Sequence, residues 1–129
     1  MPAPIPPEAL DLFDEPALGH VSYIDPYGRI VTFPMWVDYD GTHILTSSPV
    51  GSKKGQSFRQ RPQVGLSIVS AANQWHWVSV SGHVVDIRPD EGLAFIDRMA
   101  RKYTGDAYSR RTPREIFVIA IDRSRKSWA

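Results

Sequence analysis

From Gly19 to Leu45 apolar and polar residues alternate with a period of two, interrupted at Asp25-Pro26-Tyr27-Gly28 and at Asp40-Gly41-Thr42. Alternation by two gives a strand one buried face, and Pro, Asp and Gly at the interruptions are residues that close tight turns. Three antiparallel strands are therefore predicted in the first third of the chain. The pattern returns at Val64-Gly65-Leu66-Ser67-Ile68-Val69, turns at Ala71-Ala72-Asn73-Gln74, and runs from Trp75 to Ile87. Ile116 to Ile121 reads as a last, fully buried strand.

Helices are few and short. Met1 to Pro7 is a proline-rich arm, and Pro7-Glu8 suits the first turn of a helix through Ala9, Leu10 and Phe13. Ser52 is a candidate N-cap for Lys53 to Gln60, which stops before Pro62. Pro89-Asp90 opens a helix with Leu93, Ile96, Met99, Ala100 and Tyr103 on one face, ending near Gly105. With 129 residues the chain has the size of one domain. About six strands and two or three helices predict an antiparallel barrel with helices at its ends.

Composition removes several kinds of chemistry. The chain has no cysteine, so disulfides, thiolate metal sites and thiol nucleophiles are excluded. Net charge is +1, without the excess of cations that drives binding to phosphate backbones. No stretch approaches a membrane span of about 20 apolar residues, and the N-terminus lacks the regions of a signal peptide. A soluble, unprocessed, cytoplasmic protein is expected.

Parity along the strands divides their faces. Val31, Phe33, Met35, Val37 and Tyr39 form the predicted core face, and Ile30, Thr32, Pro34, Trp36 and Asp38 the other. In the strand after Gln74, His76, Val78, Val80, Gly82 and Val84 oppose Trp75, Trp77, Ser79, Ser81 and His83. Large indoles on two non-core faces imply a surface for a flat molecule, another subunit, or both.

The segment Thr46-Ser47-Ser48-Pro49-Val50-Gly51-Ser52-Lys53-Lys54 joins hydroxyls, a glycine loop and a lysine-bearing helix start. Free N–H groups, the helix dipole and a lysine together favour a phosphate. An ordinary capped helix with solvated lysines has the same sequence, and both readings stand at this point.

These pieces occur in an order that resembles the flavin- and deazaflavin-binding split β-barrel oxidoreductases related to pyridoxamine 5′-phosphate oxidase. The likeness covers nearly the whole chain and is carried by Asp25-Pro26-Tyr27-Gly28-Arg29, Thr32-Phe33-Pro34-Met35-Trp36, Gly51-Ser52-Lys53-Lys54 through Pro62, and Trp77-Val78-Ser79-Val80-Ser81-Gly82-His83-Val84. The spacing is similar to the short branch that binds coenzyme F420, whose run Lys-x-x-Asn-Leu-x-x-x-Pro is matched by Lys54, Ser57, Phe58 and Pro62. Ser57 and Phe58 depart from the commonest residues, and serine is shorter than asparagine.

The resemblance implies a six-stranded Greek-key split barrel and a homodimer with a cofactor in a groove between subunits. It implies phosphate near Ser47, Lys54 and Ser57, further cofactor-binding residues at Ser48, Gly51, Ser52 and Lys53, and the ring near Thr32, Pro34 and Trp36. Trp75 and Trp77 would come from the other subunit, and Lys53, Arg59 and Arg61 would meet the anionic tail of F420. The implied activity is hydride transfer from reduced F420 to a small organic acceptor such as a quinone, an unsaturated lactone or a tetrapyrrole. Implied alternatives are an FMN-dependent oxidase or reductase and a non-catalytic binder of flavin or F420. No double-arginine clamp of the kind used by phosphate-ester oxidases is evident, and the resemblance names no catalytic residue.

Other sites are disfavoured by geometry. His76 and His83 fall on opposite faces of one strand and His20 and His43 lie elsewhere, so no metal site is expected. Tyr23, Tyr27, Tyr39, Tyr103 and Tyr108 are available proton donors that a small barrel more often packs. Arg123-Ser124-Arg125-Lys126 reads as a solvated charged terminus without the stacking aromatics of a nucleic-acid site.

Overall fold

The computed structural model describes residues 4–127. In chain order it contains a 3-10 segment over Pro7–Phe13, then β1 (Gly19–Ile24), β2 (Ile30–Met35), β3 (Asp38–Tyr39), β4 (His43–Pro49) and α1 (Lys53–Gln60). These are followed by β5 (Gln63–Val69), β6 (Trp77–Pro89), a 3-10 turn over Glu91–Leu93, α2 (Ala94–Thr104) and β7 (Arg114–Lys126). The strands form one sheet in the order β2-β1-β5-β6-β7-β4-β3, and every neighbouring pair is antiparallel.

This sheet must curl. β2 and β3 are its two edges, yet Trp36 and Val37 alone separate them in sequence. Laid flat, the strands would place these edges about 29 Å apart. The chain from Met35 to Asp38 reaches at most about 11 Å. The edges therefore meet at a corner, where β2 and β3 remain unpaired with each other, and the result is the split antiparallel barrel expected. One more strand is present than predicted, because Ile30 to Tyr39 breaks at this corner into β2 and the two-residue β3.

Side chains take over the backbone groups that the corner withdraws from the sheet. Thr46 Oγ1 donates to the Trp36 carbonyl at 2.8 Å, and Lys102 Nζ donates to the Val37 carbonyl at 2.6 Å. The Val37 amide donates to the Tyr103 hydroxyl at 3.2 Å, which itself donates to the Ala17 carbonyl at 2.7 Å. A buried backbone group left without a partner would cost about a hydrogen bond's free energy or more, so α2 is bound to the corner by more than apolar contact.

The predicted core face holds at Met35 and Val37, which are buried, but Phe33 is 44% exposed. Its strand is an edge, and its ring stacks on Tyr23 at 6.3 Å. The main core joins Val21, Ile44, Phe58, Ile68, Val78, Phe117, Ile119 and Ile121, while Phe95 and Met99 of α2 pack on Leu45 and Val118. α1 has the predicted bounds, and its Ser52 Oγ accepts from the Gly55 amide at 3.1 Å. α2 begins later than predicted because Leu93 takes a left-handed conformation, and the Asp90 carboxylate caps it by accepting from the Phe95 and Ile96 amides at 2.8 and 2.9 Å.

Three further expectations are corrected. The charged segment Arg123 to Lys126 is no solvated terminus: it pairs with Val78 to Ser81 of β6, extending β7 to 13 residues. Trp75 precedes its strand, which starts at Trp77. Of the proline arm, residues 1–3 lie outside the described residues, and Ile5 is buried in the core with its amide 3.4 Å from the Tyr39 hydroxyl.

β6 and β7 approach closely at a register shift between Ser81 and Gly82. A Cβ on Gly82 would collide with the Ala120 carbonyl oxygen, which is backbone and cannot rotate away. Gly82→Ala is therefore expected to lower the unfolding free energy by more than about 2 kcal/mol, read by urea denaturation; a change within experimental error would contradict this packing.

Candidate functional site

The corner is also the wall of a cleft of about 280 Å³. Leu18, Pro34, Met35 and Trp36 line it from the barrel side, and Phe95, Ile96 and Met99 from α2. Trp36 is fixed between two tyrosines, stacked on Tyr103 at 5.3 Å and meeting Tyr108 edge-on at 5.9 Å. A half-buried aromatic pair of this kind contributes about 0.5–1.5 kcal/mol beyond its area. The indole expected to need a ligand or subunit to cover it is thus covered in large part by its own chain.

The polar lining is Ser47, Lys54, Tyr108 and Arg114. Arg114 Nε donates to Ser47 Oγ at 3.0 Å, and its guanidinium lies 5.2 Å from the Tyr108 ring centre. The Lys54 ammonium lies 5.1 Å from the Phe33 ring centre. Burial holds the Lys54 ammonium below the usual lysine range, and the charge of Arg114 lowers it further. Burial likewise lowers Arg114. Neither cation has an acidic partner within salt-bridge distance among the described residues. The nearby Asp90 uses both carboxylate oxygens to cap α2. Two partly desolvated like charges beside hydroxyls form a place where an anion lowers the electrostatic energy.

Of the residues singled out in the sequence, Pro34, Trp36, Ser47 and Lys54 meet in this cleft. Ser48, Gly51 and Ser52 form the turn leading to α1, with Ser48 Oγ donating to Ser52 Oγ at 2.7 Å. Ser57 is buried and donates to the Lys53 carbonyl at 2.7 Å, so its hydroxyl proton is engaged within α1. Thr32 pairs with Ser22 on exposed β2, its Oγ1 2.8 Å from the Ser22 Oγ. Lys53 reaches outward, 5.9 Å from the centre of the exposed Tyr27 ring. Trp75 and Trp77 stand at the β5–β6 turn and do not line the cleft, and Trp75 is 62% exposed.

Arg59 and Arg61 have structural partners instead of an open groove. Arg59 makes a bidentate pair with Glu115 at 2.9 and 2.8 Å, and Arg61 Nη1 donates to the Asp25 carbonyl at 3.0 Å. Arg114 is the polar cleft residue that sequence reasoning missed, and Tyr108, considered there only as a proton donor, lines the cleft beside it. The signal for Arg114 was the basic run ahead of the last strand, but only the pairing of β4 with β7 brings that run beside Ser47. No group of three or more potential metal ligands occurs among the described residues.

Comparison with known proteins agrees with this architecture. The family model described as pyridoxamine 5′-phosphate oxidase matches residues 5–127. A solved F420 reductase is 24% identical, with a TM-score of 0.83, and the alignment covers 94% of this chain and 98% of that one. General stress protein 26 from Bacillus anthracis is 14% identical, with a TM-score of 0.72 and coverage of 93% and 91%. A conserved hypothetical protein from Mycobacterium tuberculosis is 19% identical, with a TM-score of 0.69 and coverage of 93% and 81%. No curated protein matches. Likeness at these identities concerns the fold.

The depressed Lys54 pKa has a thermodynamic consequence. Unfolded Lys54 holds its proton to higher pH than folded Lys54, so stability rises as pH climbs from the folded value towards the ordinary lysine value. Lys54→Met should match or exceed the parent's melting temperature at neutral pH and lack the Lys54 increment at alkaline pH. Melting curves across that range test this, and a lower neutral-pH melting temperature in the variant would show that Lys54 supports the fold.

Proposed function

The chain belongs to the pyridoxamine 5′-phosphate oxidase family, and from that premise we propose that it is an oxidoreductase that uses reduced coenzyme F420 to deliver hydride to a small organic acceptor. The observation that carries the reading is the pair Lys54 and Arg114, brought without an acidic partner to one apolar-walled cleft. Deazaflavins and flavins share the features such a cleft suits, an anionic phosphate and a flat conjugated ring. Bound there, the cofactor supplies the hydride.

The residues of the chain fit that group as follows. Lys54, Arg114 and Ser47 hold the phosphate by charge and hydrogen bonding. Pro34 and Trp36 offer a rigid wall to the ring, and the Tyr103 and Tyr108 contacts keep that wall from collapsing into the cleft. Apolar side chains of α2 exclude water around the reacting face. Ser48, Gly51 and Ser52 shape the turn that presents Lys54, while Ser57 stabilises α1 from within. Lys53 and Thr32 lie outside the cleft.

A volume of about 280 Å³ is at the lower limit for a cofactor pocket, about 300 Å³ or more. This supports a homodimer in which the rest of the cofactor is enclosed by a second subunit, with Trp75 and Trp77 facing across from that subunit. The protein is proposed to act in the cytoplasm. No helix among the described residues is long and apolar enough to cross a membrane.

FMN is the second reading, favoured by the family match itself. Parallel fluorescence titrations with F420 and FMN decide between them: tighter F420 binding, followed by oxidation of reduced F420 with an acceptor panel, is the expected result. Tighter FMN binding assigns the protein to flavin chemistry, and binding of neither overturns the cofactor reading. Lys54→Ala should weaken the preferred cofactor by about 1.5–3 kcal/mol. Affinity should also fall as pH rises through the depressed Lys54 value, because the ammonium is then lost.

A further inference from the structure

Lys54 on α1 and Arg114 on β7 repel each other, and the residues that follow them are those at which one ion pair is made and seated. Gly55 follows Lys54, and Glu115 follows Arg114. Glu115 is 6% exposed and accepts both Arg59 guanidinium bonds, at 2.9 and 2.8 Å. The pair is seated where Gly55 has no side chain: a Cβ there would stand 2.6 Å from Glu115 Oε2 and 2.9 Å from Arg59 Nη1. A bidentate pair fixes direction as well as distance. Alternate side chains on a strand point to opposite faces, so Arg114 and Glu115 serve different sides of β7.

We infer that the Arg59–Glu115 ion pair, seated in the notch left by Gly55, is a positioning device that holds Lys54 of α1 beside Arg114 of β7 and so assembles the two-cation anion site. The inference rests on the anion-binding role proposed for the cleft. Like charges separate unless the elements bearing them are tied, and the tie here is an opposite-charge pair joining the same two elements. Ser52 supports it from the helix start, where its hydroxyl caps Gly55 and receives the Ser48 hydrogen bond.

Two variants give results opposite to those of simpler accounts. Glu115→Gln removes a negative charge near the cleft, so Coulomb's law alone predicts tighter anion binding. Positioning predicts weaker binding, by about tenfold, as expected for residues coupled through contact. Gly55→Ala leaves every charge in place and favours the helix, yet it should also weaken anion binding because its Cβ displaces Glu115 Oε2 and Arg59 Nη1 from their seat. The full chain is titrated with inorganic phosphate by NMR and with FMN and F420 by fluorescence, alongside melting curves that report folding. Each titration is repeated in a Lys54→Met background, where both variants should lose most of their effect because the pair acts through Lys54.

Weaker binding in folded Glu115→Gln or Gly55→Ala, together with that loss in the Lys54→Met background, supports the inference. If Glu115→Gln fails to fold, Gly55→Ala carries the test. Unchanged or tighter binding in the folded variants overturns it, as does an equal loss with and without Lys54. A parent that binds phosphate while the variants behave like it disproves the positioning role alone. A parent that binds neither phosphate nor either cofactor disproves the cleft's proposed function and this inference with it.

Discussion

The two-residue corner at Trp36 and Val37 is the constraint from which the other features follow. Because β2 and β3 are opposite edges of the sheet, joining them through so short a link rolls the sheet and exposes backbone groups that no strand can pair. Thr46, Lys102 and Tyr103 accept or supply those hydrogen bonds. That requirement fixes α2 against the barrel, and the space between α2 and the corner is the cleft. Fold and site thus share their supports: Tyr103 serves the Val37 backbone with its hydroxyl and the Trp36 indole with its ring.

Electrostatics divides the cations of this region into two groups. Arg59 and Arg61 are held by Glu115 and by the Asp25 carbonyl. Lys54 and Arg114 face one cleft with no acid within salt-bridge distance among the described residues, and among carboxylates Arg114 has only the more distant charge of Asp90 to favour its guanidinium. Burying charge without a partner disfavours the folded state, and structures tolerate it where a ligand later supplies the partner. Lys102, also held below the usual lysine range by burial, differs because its ammonium donates to the Phe13 and Val37 carbonyls. Its role is to bind the 3-10 segment and the corner to α2.

Strands and helices were legible in the sequence wherever local chemistry decides. Ser52 capped α1 at the predicted residue, and Asp25-Pro26-Tyr27-Gly28 closed a hairpin with Gly28 at a positive φ of 83°. Reading failed where distant pairing decides. Parity along Ile30 to Tyr39 could not foresee the corner, because the partners of the freed backbone groups come from β4 and α2. Arg123 to Lys126 had the composition of a solvated tail, but β6 is long enough to pair with it. Half of the cationic site was visible as Lys54 beside a capped helix start. Arg114 was not, since its approach to Ser47 exists only through the β4–β7 register.

The proposed role of the cleft requires that Lys54 and Arg114 receive the anionic part of a cofactor. A crystal structure of the full chain with bound F420, and a second with FMN, measures this directly. The expected result is a cofactor phosphate within hydrogen-bond reach of the Lys54 ammonium and the Arg114 guanidinium, with the ring against Pro34 and Trp36. A phosphate bound elsewhere on the chain, with the cleft between α2 and the corner filled by solvent, would contradict it.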